Sequence, residues 1–391
     1  VGSKELSGLR PATLAVHRGV DKDPAYNSVT TPIYPTSTFA FERVGVHKGY
    51  DYTRSGNPTR QALADNLAAL EGGTHAWATC TGMSAVTSTM MLFSAGDHIV
   101  AGHDIYSGTI RLCEAVLSRL NIEVSFVRMN DPAEVRRALR PGTKAVLVET
   151  PSNPMLRLVD IAAVADIARE AGALTIVDNT FMSPFFQNPL ALGADIVIHS
   201  TTKYLNGHSD VVGGAIVVRD AGLAERLAFL VNALGTACSP FDAWLVLRGV
   251  KTLACRMPIH ERNAAAVATW LSRQPAVRRV HYPGLKDHPD HDLARRQMRG
   301  FGGMVSFELD TARVPVEDFL GRLRLFALAE SLGGVESLAE QPWTMSHASI
   351  SEQRRREAGI TPGLVRLSIG IEDPEDLLAD LAGGLGAAAE A

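Results

Sequence analysis

Short apolar runs return at close intervals between residues 98 and 200: HIVAG at 98–102, EVSFV at 123–127, KAVLVE at 144–149, LTIVD at 174–178 and DIVIHS at 195–200. Each is rich in Val and Ile, has the length of a strand and lacks strict polar alternation, so both of its faces are expected to be buried. Helical patterns at 109–119, 132–139 and 158–171 separate most of these runs. Strands joined through helices do not pair as hairpins. They lie parallel, with the crossovers covering both faces of the sheet. The expectation is an α/β fold built on a large, mostly parallel sheet, to which GGAIVV at 213–218 adds a further apolar run.

The flanks read differently. Residues 1–57 are dense in turn formers, with YPTSTFAF irregular or extended and GYDYTRSGNPT a loop, so they form an arm that lies across something rather than folding alone. PTRQALADNLAALEG then runs in helical periods from Pro58 to Gly72. Beyond 250 a long helix is expected over 252–273, then VSFEL at 305–309, a helix near 316–328, VRLSIG at 365–370 and a helical stretch at 374–390. This predicts an arm (1–57), an α/β domain (58–250) and a smaller C-terminal α+β domain (251–391). At 391 residues, with 46% hydrophobic and 20% charged, the chain has enough apolar material for two cores.

A net charge of -4 offers no attraction to nucleic acid or to an acidic membrane surface. VGSKELSGLRPA does not read as a signal peptide, and the apolar runs are too short to cross a bilayer, so a cytoplasmic protein is expected. Cys80, Cys113, Cys238 and Cys255 are widely spaced and form no CxxC. They read as small core residues, and no metal is expected.

Four features fall where α/β sites are built, at the C-terminal ends of strands. Asp178 ends LTIVD, where a carboxylate either faces a cationic ring nitrogen or caps the following turn. Lys203, in HSTTKYLNGHSD after a buried strand, is either an exposed surface lysine or a Schiff-base lysine, with Ser200 and Thr202 placed to donate to a phosphate. Gly82 and Met83, in CTGMSA, open a helix whose free amides suit a phosphate, although a purely structural glycine turn is a rival. Tyr106 can stack on a flat ring or belong to the core or an interface. Taken together they match what pyridoxal phosphate requires. The GxGxxG of a dinucleotide site is not found in place after an early strand.

The motifs DYTRSGNPT (51–59), ETPSNP (149–154), VDNTF (177–181), HSTTKYLNGHSDVVGG (199–214), AESLGGVESL (329–338) and VRLSIGIED (365–373) carry a resemblance, over nearly the whole chain, to the Cys/Met-metabolism family of pyridoxal-phosphate enzymes, of the aspartate-aminotransferase-like fold type I. The resemblance implies that Lys203 binds the cofactor, Asp178 partners its pyridine nitrogen, Tyr106 stacks on its ring, and Gly82, Met83, Ser200 and Thr202 cradle its phosphate. It implies that Tyr52 and Arg54 reach the phosphate of a neighbouring subunit, in a homotetramer assembled as a dimer of dimers. Arg366 resembles the arginine that grips the substrate α-carboxylate, supported by Asn153 and Ser331. Glu330 and Asp51 resemble acidic residues near the distal end of the substrate.

The activity implied is γ-elimination or γ-replacement on a sulfur amino acid. AESLGGVESLAE and MSHASI are similar to the cystathionine γ-lyase subgroup, and γ-synthases share much of both. Asp51 leans towards the synthases, and Gly108, where methionine γ-lyases often carry cysteine, lowers that third reading. Trp343 is expected either to narrow the substrate mouth or to serve an interface, and His208 to be structural.

Overall fold

The computed structural model describes residues 8–20, 23 and 25–386. Among these, the apolar runs form a seven-stranded sheet from β1 (His75–Thr79), β2 (His98–Gly102), β3 (Glu123–Val127), β4 (Thr143–Glu149), β5 (Leu174–Asp178), β6 (Ile196–His199) and β7 (Gly214–Val218). Its order is β1-β7-β6-β5-β4-β2-β3. Strands β3, β2, β4, β5 and β6 are parallel, and β7 runs antiparallel to both β6 and β1. The first sheet strand, His75–Thr79, is one whose extent the apolar pattern does not mark.

Burial follows the two-residue period of the pleat. Ile99, Ala101, Leu147, Ile176 and Ile198 pack on one face with Ala85, Val86 and Ile110. Val100, Val146, Val148 and Val177 pack on the other with Ile161, Val164 and Ile167. This is why the runs carry no polar alternation. Helices α1 (Pro11–His17), α2 (Pro58–Glu71), α3 (Gly82–Met90) and α4 (Ser107–Ala115) come first in the chain. Helix α2 begins at an Asn57 side chain that accepts from the amides of Thr59 and Arg60, has Pro58 in its first turn, and stops at Gly72, whose φ is +70°. These are the start and stop features expected of it.

A second sheet has the order β10-β11-β12-β9-β8, from β8 (Val277–His281), β9 (Met304–Leu309), β10 (Ala327–Leu328), β11 (Leu338–Glu340) and β12 (Leu364–Ser368). It is antiparallel except where β10 pairs with β11. Phe307, Val365, Leu367 and Phe319 build its own core.

Several expectations are corrected. The helix expected near 316–328 ends at Arg322, and Ala327–Leu328 is extended and pairs with β11, because a strand partner outcompetes helical propensity over a short stretch. The helix expected over 109–119 runs from Ser107 to Ala115 and is followed by a tighter 3-10 turn at Leu117–Leu120. Cys113 and Cys238 are buried as expected, but Cys80 and Cys255 are exposed. Within the arm, α1 is helical and Thr38 bridges to Tyr52; residues 1–7, 21–22 and 24 lie outside the described residues. The terminal helix is Pro374–Gly384, and the rest of its expected span from 387 is likewise outside them. No helix among the described residues is long and apolar enough to cross a membrane.

Candidate active site

Strand order reverses beside β2: β3 lies on one side of it and β4 on the other. Chain leaving the two sides departs in opposite directions, which opens a crevice at the C-terminal ends of the strands. A cavity of about 260 Å³ opens at these ends, lined by residues attached to both sheets.

Tyr106 follows β2 and stands immediately before α4. Its backbone N–H donates to Glu149 Oε2 at 2.7 Å across the crevice, and its side chain lines the cavity. Glu149 ends β4 and pairs in register with Asp178, which ends β5. Asp178 Oδ1 accepts from the amide of Thr180 at 2.9 Å. Burial pushes the Glu149 carboxyl well above its usual range, and the neighbouring Asp178 pushes it further. Asp178 is also raised by burial, but hydrogen bonds from Thr180 and the field of His199 pull it back. Of this pair, Glu149 is the one whose carboxyl is pushed up the more strongly, and Asp178, supplied with donors, the one suited to meet a positive charge.

Lys203 lies in the turn after β6. Its Nζ donates to Ser331 Oγ at 2.8 Å. Burial, and next the charge of Arg366, lower the Lys203 amine from 10.5 to about 8. Ser331 comes from the loop between β10 and β11 and has a φ of +96°, a strained conformation for a residue with a side chain. The strain turns its hydroxyl to Lys203 and its carbonyl to Arg366, whose Nη2 donates to it at 2.8 Å. Arg366 stands on β12, 3% exposed, and its Nη1 donates to Asn153 Oδ1 at 2.9 Å. Glu330 lines the same cavity.

At the other end α3 points its N-terminus into the cavity. Thr81 caps the helix, its Oγ1 accepting from the amide of Ser84 at 2.8 Å, which leaves the first-turn amides of Gly82 and Met83 outside the cap. A Cβ on Gly82 would stand 2.8 Å from Ser200 Cβ, so only glycine lets the helix come this close to Ser200. The Thr202 hydroxyl is oriented by the backbone of Gly213, donating to its carbonyl at 3.2 Å and accepting from its amide at 3.0 Å.

The residues named for the cofactor, for the carboxylate and for the distal end of the substrate therefore converge, with three exceptions. Asp51, Tyr52 and Arg54 do not line the cavity of their own chain. Tyr52 is 46% exposed, and Arg54 donates to the Asn232 carbonyl and side chain at 3.0 and 2.7 Å. Trp343 is also outside the cavity. It packs against Met155, Ala358 and Leu364, with the guanidinium of Arg355 4.3 Å from its ring centroid. His208 Nδ1 donates to the Asn206 carbonyl at 2.7 Å.

Two carboxyls of the site escape the sequence reading. Glu149 closes KAVLVE as Asp178 closes LTIVD, and that parallel was the available signal. Glu340 makes an ion pair with Arg366 at 3.0 Å, but its strand is only three residues long and shows no readable period.

The arrangement fits pyridoxal phosphate. Free amides and hydroxyls stand at one end for a phosphate dianion. The buried carboxylate of Asp178 lines the same cavity and is available to a cationic ring nitrogen. A buried amine is bonded to a neutral hydroxyl, which keeps its deprotonation inexpensive.

Comparison with known proteins agrees. A family model described as Cys/Met metabolism PLP-dependent enzyme matches residues 12–386. A cystathionine gamma-lyase of Bacillus subtilis is 50% identical over 373 residues, covering 95% of this chain and 98% of that protein. A cystathionine beta-lyase of Lactococcus lactis is 49% identical, covering 94% and 97%. The structure of a cystathionine gamma synthase from Xanthomonas oryzae, in complex with aminoacrylate and cysteine, superposes with a TM-score of 0.94 at 50% identity, covering 97% of this chain and 98% of that one. A match across nearly every described residue, on a fold whose cavity gathers the required groups, places the chain in the Cys/Met-metabolism family of pyridoxal-phosphate-dependent enzymes.

Proposed function

We propose that the protein is a cystathionine γ-lyase, converting cystathionine to cysteine, ammonia and 2-oxobutanoate. The observation that carries the reading is the bridge made by Ser331: one residue binds Lys203 Nζ through its hydroxyl and Arg366 through its carbonyl. An amino acid whose carboxylate rests on Arg366 thereby presents its α-carbon to the lysine.

Pyridoxal phosphate, when bound, withdraws electrons from the substrate carbons next to the nitrogen. The chain's own groups divide the remaining work. Asp178 would meet the cationic ring nitrogen of the bound cofactor. Arg366 fixes the carboxylate, with Asn153 holding its guanidinium. Lys203, whose amine sits near neutrality, takes the α-proton and carries it along the substrate. Tyr106, which lines the cavity, would stack on the cofactor ring and assist proton transfer towards the leaving sulfur. Gly82, Met83, Ser200 and Thr202 would hold its phosphate. Glu330 stands at the distal end of the substrate, and Asp51, outside its own chain's cavity, would reach that end of a second subunit's site. Tyr52 and Arg54, exposed on an arm that does not enter its own cavity, reach the phosphate site of a second subunit in a homotetramer. The chain is organised as the arm 1–57, a cofactor-binding region 58–250 and a C-terminal region 251–391.

A second reading, γ-replacement, is favoured by the 50% identity to the Xanthomonas synthase, and the Lactococcus relative adds β-elimination. A substrate panel separates them: cystathionine, methionine, and an activated homoserine ester with cysteine, with the thiol and 2-oxo acid identified. Release of cysteine and 2-oxobutanoate from cystathionine supports the lyase. Homocysteine with pyruvate indicates β-elimination, and preferential formation of cystathionine from the ester overturns the proposal.

A further inference from the structure

Glu340 on β11 and Arg366 on β12 are direct cross-strand partners. Glu340 Oε2 lies 3.0 Å from Arg366 Nη2, with the two side chains 1% and 3% exposed. The contact is ionic without being a well-directed hydrogen bond: Glu340 Oε2 and Arg366 Nε are both buried and both lack a hydrogen-bond partner. Glu340 Oε1 is better held, accepting from Ser346 Oγ at 2.5 Å. Ser346 lines the cavity, and its carbonyl accepts from Ser107 Oγ at 2.9 Å, one residue beyond Tyr106. The hydrogen bonds of Arg366 go to the neutral oxygens of Asn153 and Ser331.

An arginine buried without any anion is expensive, and one that already has an anion offers less to a second. The unpartnered Nε is a donor waiting for an oxygen, while Nη2 beside it is committed to Ser331 and Glu340. A carboxylate seated across both nitrogens therefore meets the Glu340 carboxylate on the same guanidinium.

We propose that Glu340 is the resident counter-ion of Arg366: it competes with the α-carboxylates of substrate and product, limits how tightly the site holds them, and takes up a proton when one binds. The inference rests on the reading of Arg366 as the carboxylate anchor. Two carboxylates on one guanidinium repel, and protonation of one relieves the repulsion. Burial already pushes the Glu340 carboxyl up, against the pull of Arg366 and the Ser346 hydrogen bond. The other charged groups facing it are Lys203, from the turn after β6, and Glu330, from the loop after β10. His347, beside Ser346, is driven down to about 4 by burial and stays neutral around pH 7. A positioning residue of this kind favours turnover, because the 2-oxo acid product carries the same carboxylate and leaves sooner.

The test is calorimetric titration of the holoenzyme with propionate, a carboxylate with no amine to react. It is run at one pH in two buffers of different protonation enthalpy, then repeated across pH. Wild type is expected to take up a fraction of a proton and to bind more weakly as pH rises. Glu340→Gln is expected to bind propionate on the order of tenfold more tightly, without that uptake, and to lower KM for amino-acid substrates more than it changes kcat. Glu340→Asp, which keeps the charge, should retain the uptake. Absence of proton uptake by wild type, or propionate binding no tighter in Glu340→Gln, overturns the proposal; the wild-type measurement alone decides it if the Gln variant misfolds. Arg366→Ala binding propionate as wild type does would instead show that Arg366 is not the anchor, a failure of the underlying reading.

Discussion

Glu149 and Asp178 end neighbouring parallel strands in register, so that two carboxyls stand side by side at the back of one cavity. Their environments separate them. Asp178 is supplied with donors from Thr180, whereas Glu149 accepts only the Tyr106 amide among the hydrogen bonds found for the described residues. One of the pair must keep its proton for the other to serve as an anion, the same logic by which adjacent acids elsewhere divide roles.

Glu149→Gln mimics the protonated state and is expected to keep most activity, whereas Glu149→Ala removes the acceptor of the Tyr106 amide. The alanine variant should lose about 0.5–1.5 kcal/mol of stability. The raised carboxyl binds its proton more tightly in the folded state. Its contribution is therefore complete below the unfolded value of 4.5 and is lost as pH rises towards the folded value. Thermal denaturation across pH should show the Gln variant gaining on wild type as pH increases, and a constant difference between the two would contradict a protonated Glu149.

Mixing two inactive variants tests the arm. If Tyr52 and Arg54 serve a neighbour's phosphate site, Arg54→Ala and Lys203→Ala subunits complement each other, because a mixed pair contains one site with both intact residues. Reassembly of equal amounts should restore activity in about a quarter of the sites. No recovery after demonstrated subunit exchange would place Arg54 in its own chain's chemistry or outside the site altogether.

Gly333 makes the two sheets answer to each other. Its φ is +77°, and a Cβ there would lie 2.6 Å from the Tyr204 amide nitrogen and 3.1 Å from the Lys203 carbonyl carbon. Gly333→Ala should destabilise the protein by about 1–3 kcal/mol. It should also weaken cofactor retention, measured as the rate of cofactor loss on dilution, since the backbone that must move is that of the lysine.

His260 and His347 set an acid limit. Burial lowers both from 6.5 to about 4, and the two are 0% and 2% exposed. A depressed base favours the folded state above the unfolded value, and that stability is lost as pH falls from 6.5 towards 4. Each costs on the order of 3 kcal/mol once the unfolded chain is fully protonated and the native one is not. Urea unfolding of wild type and His260→Gln between pH 7.5 and 4.5 should converge as pH falls. Parallel curves would show that His260 does not titrate as described.

The large sheet was readable because strands such as Ile99–Ala101 and Val146–Val148 are buried on both faces, which leaves an unbroken apolar signature. Lys203, Asp178, Gly82 and Tyr106 were readable for a related reason: each follows such a strand or opens a helix, where an unexpected residue type is conspicuous. Glu340 was not, because a three-residue strand has no period and its charge is explained only by Arg366, 26 residues further on and opposite it in the sheet. The extended Ala327–Leu328 pair was hidden for the opposite reason, since its conformation belongs to its partner β11 and not to its own composition.

The Ser331 bridge has a consequence for how such a protein diversifies. Lys203, proposed to move the α-proton, and Asp178, proposed to partner the ring nitrogen, are carried by the seven-stranded sheet and its turns, and Arg366 and Ser331, proposed to hold the amino acid, by the five-stranded sheet and its loops. A substitution beside the bridge, at Glu330, can change which molecule is admitted while leaving the contacts of Ser331 with Lys203 and Arg366 intact. Selectivity can then drift independently of reactivity, and relatives equally similar to this chain can bear the names of three different reactions.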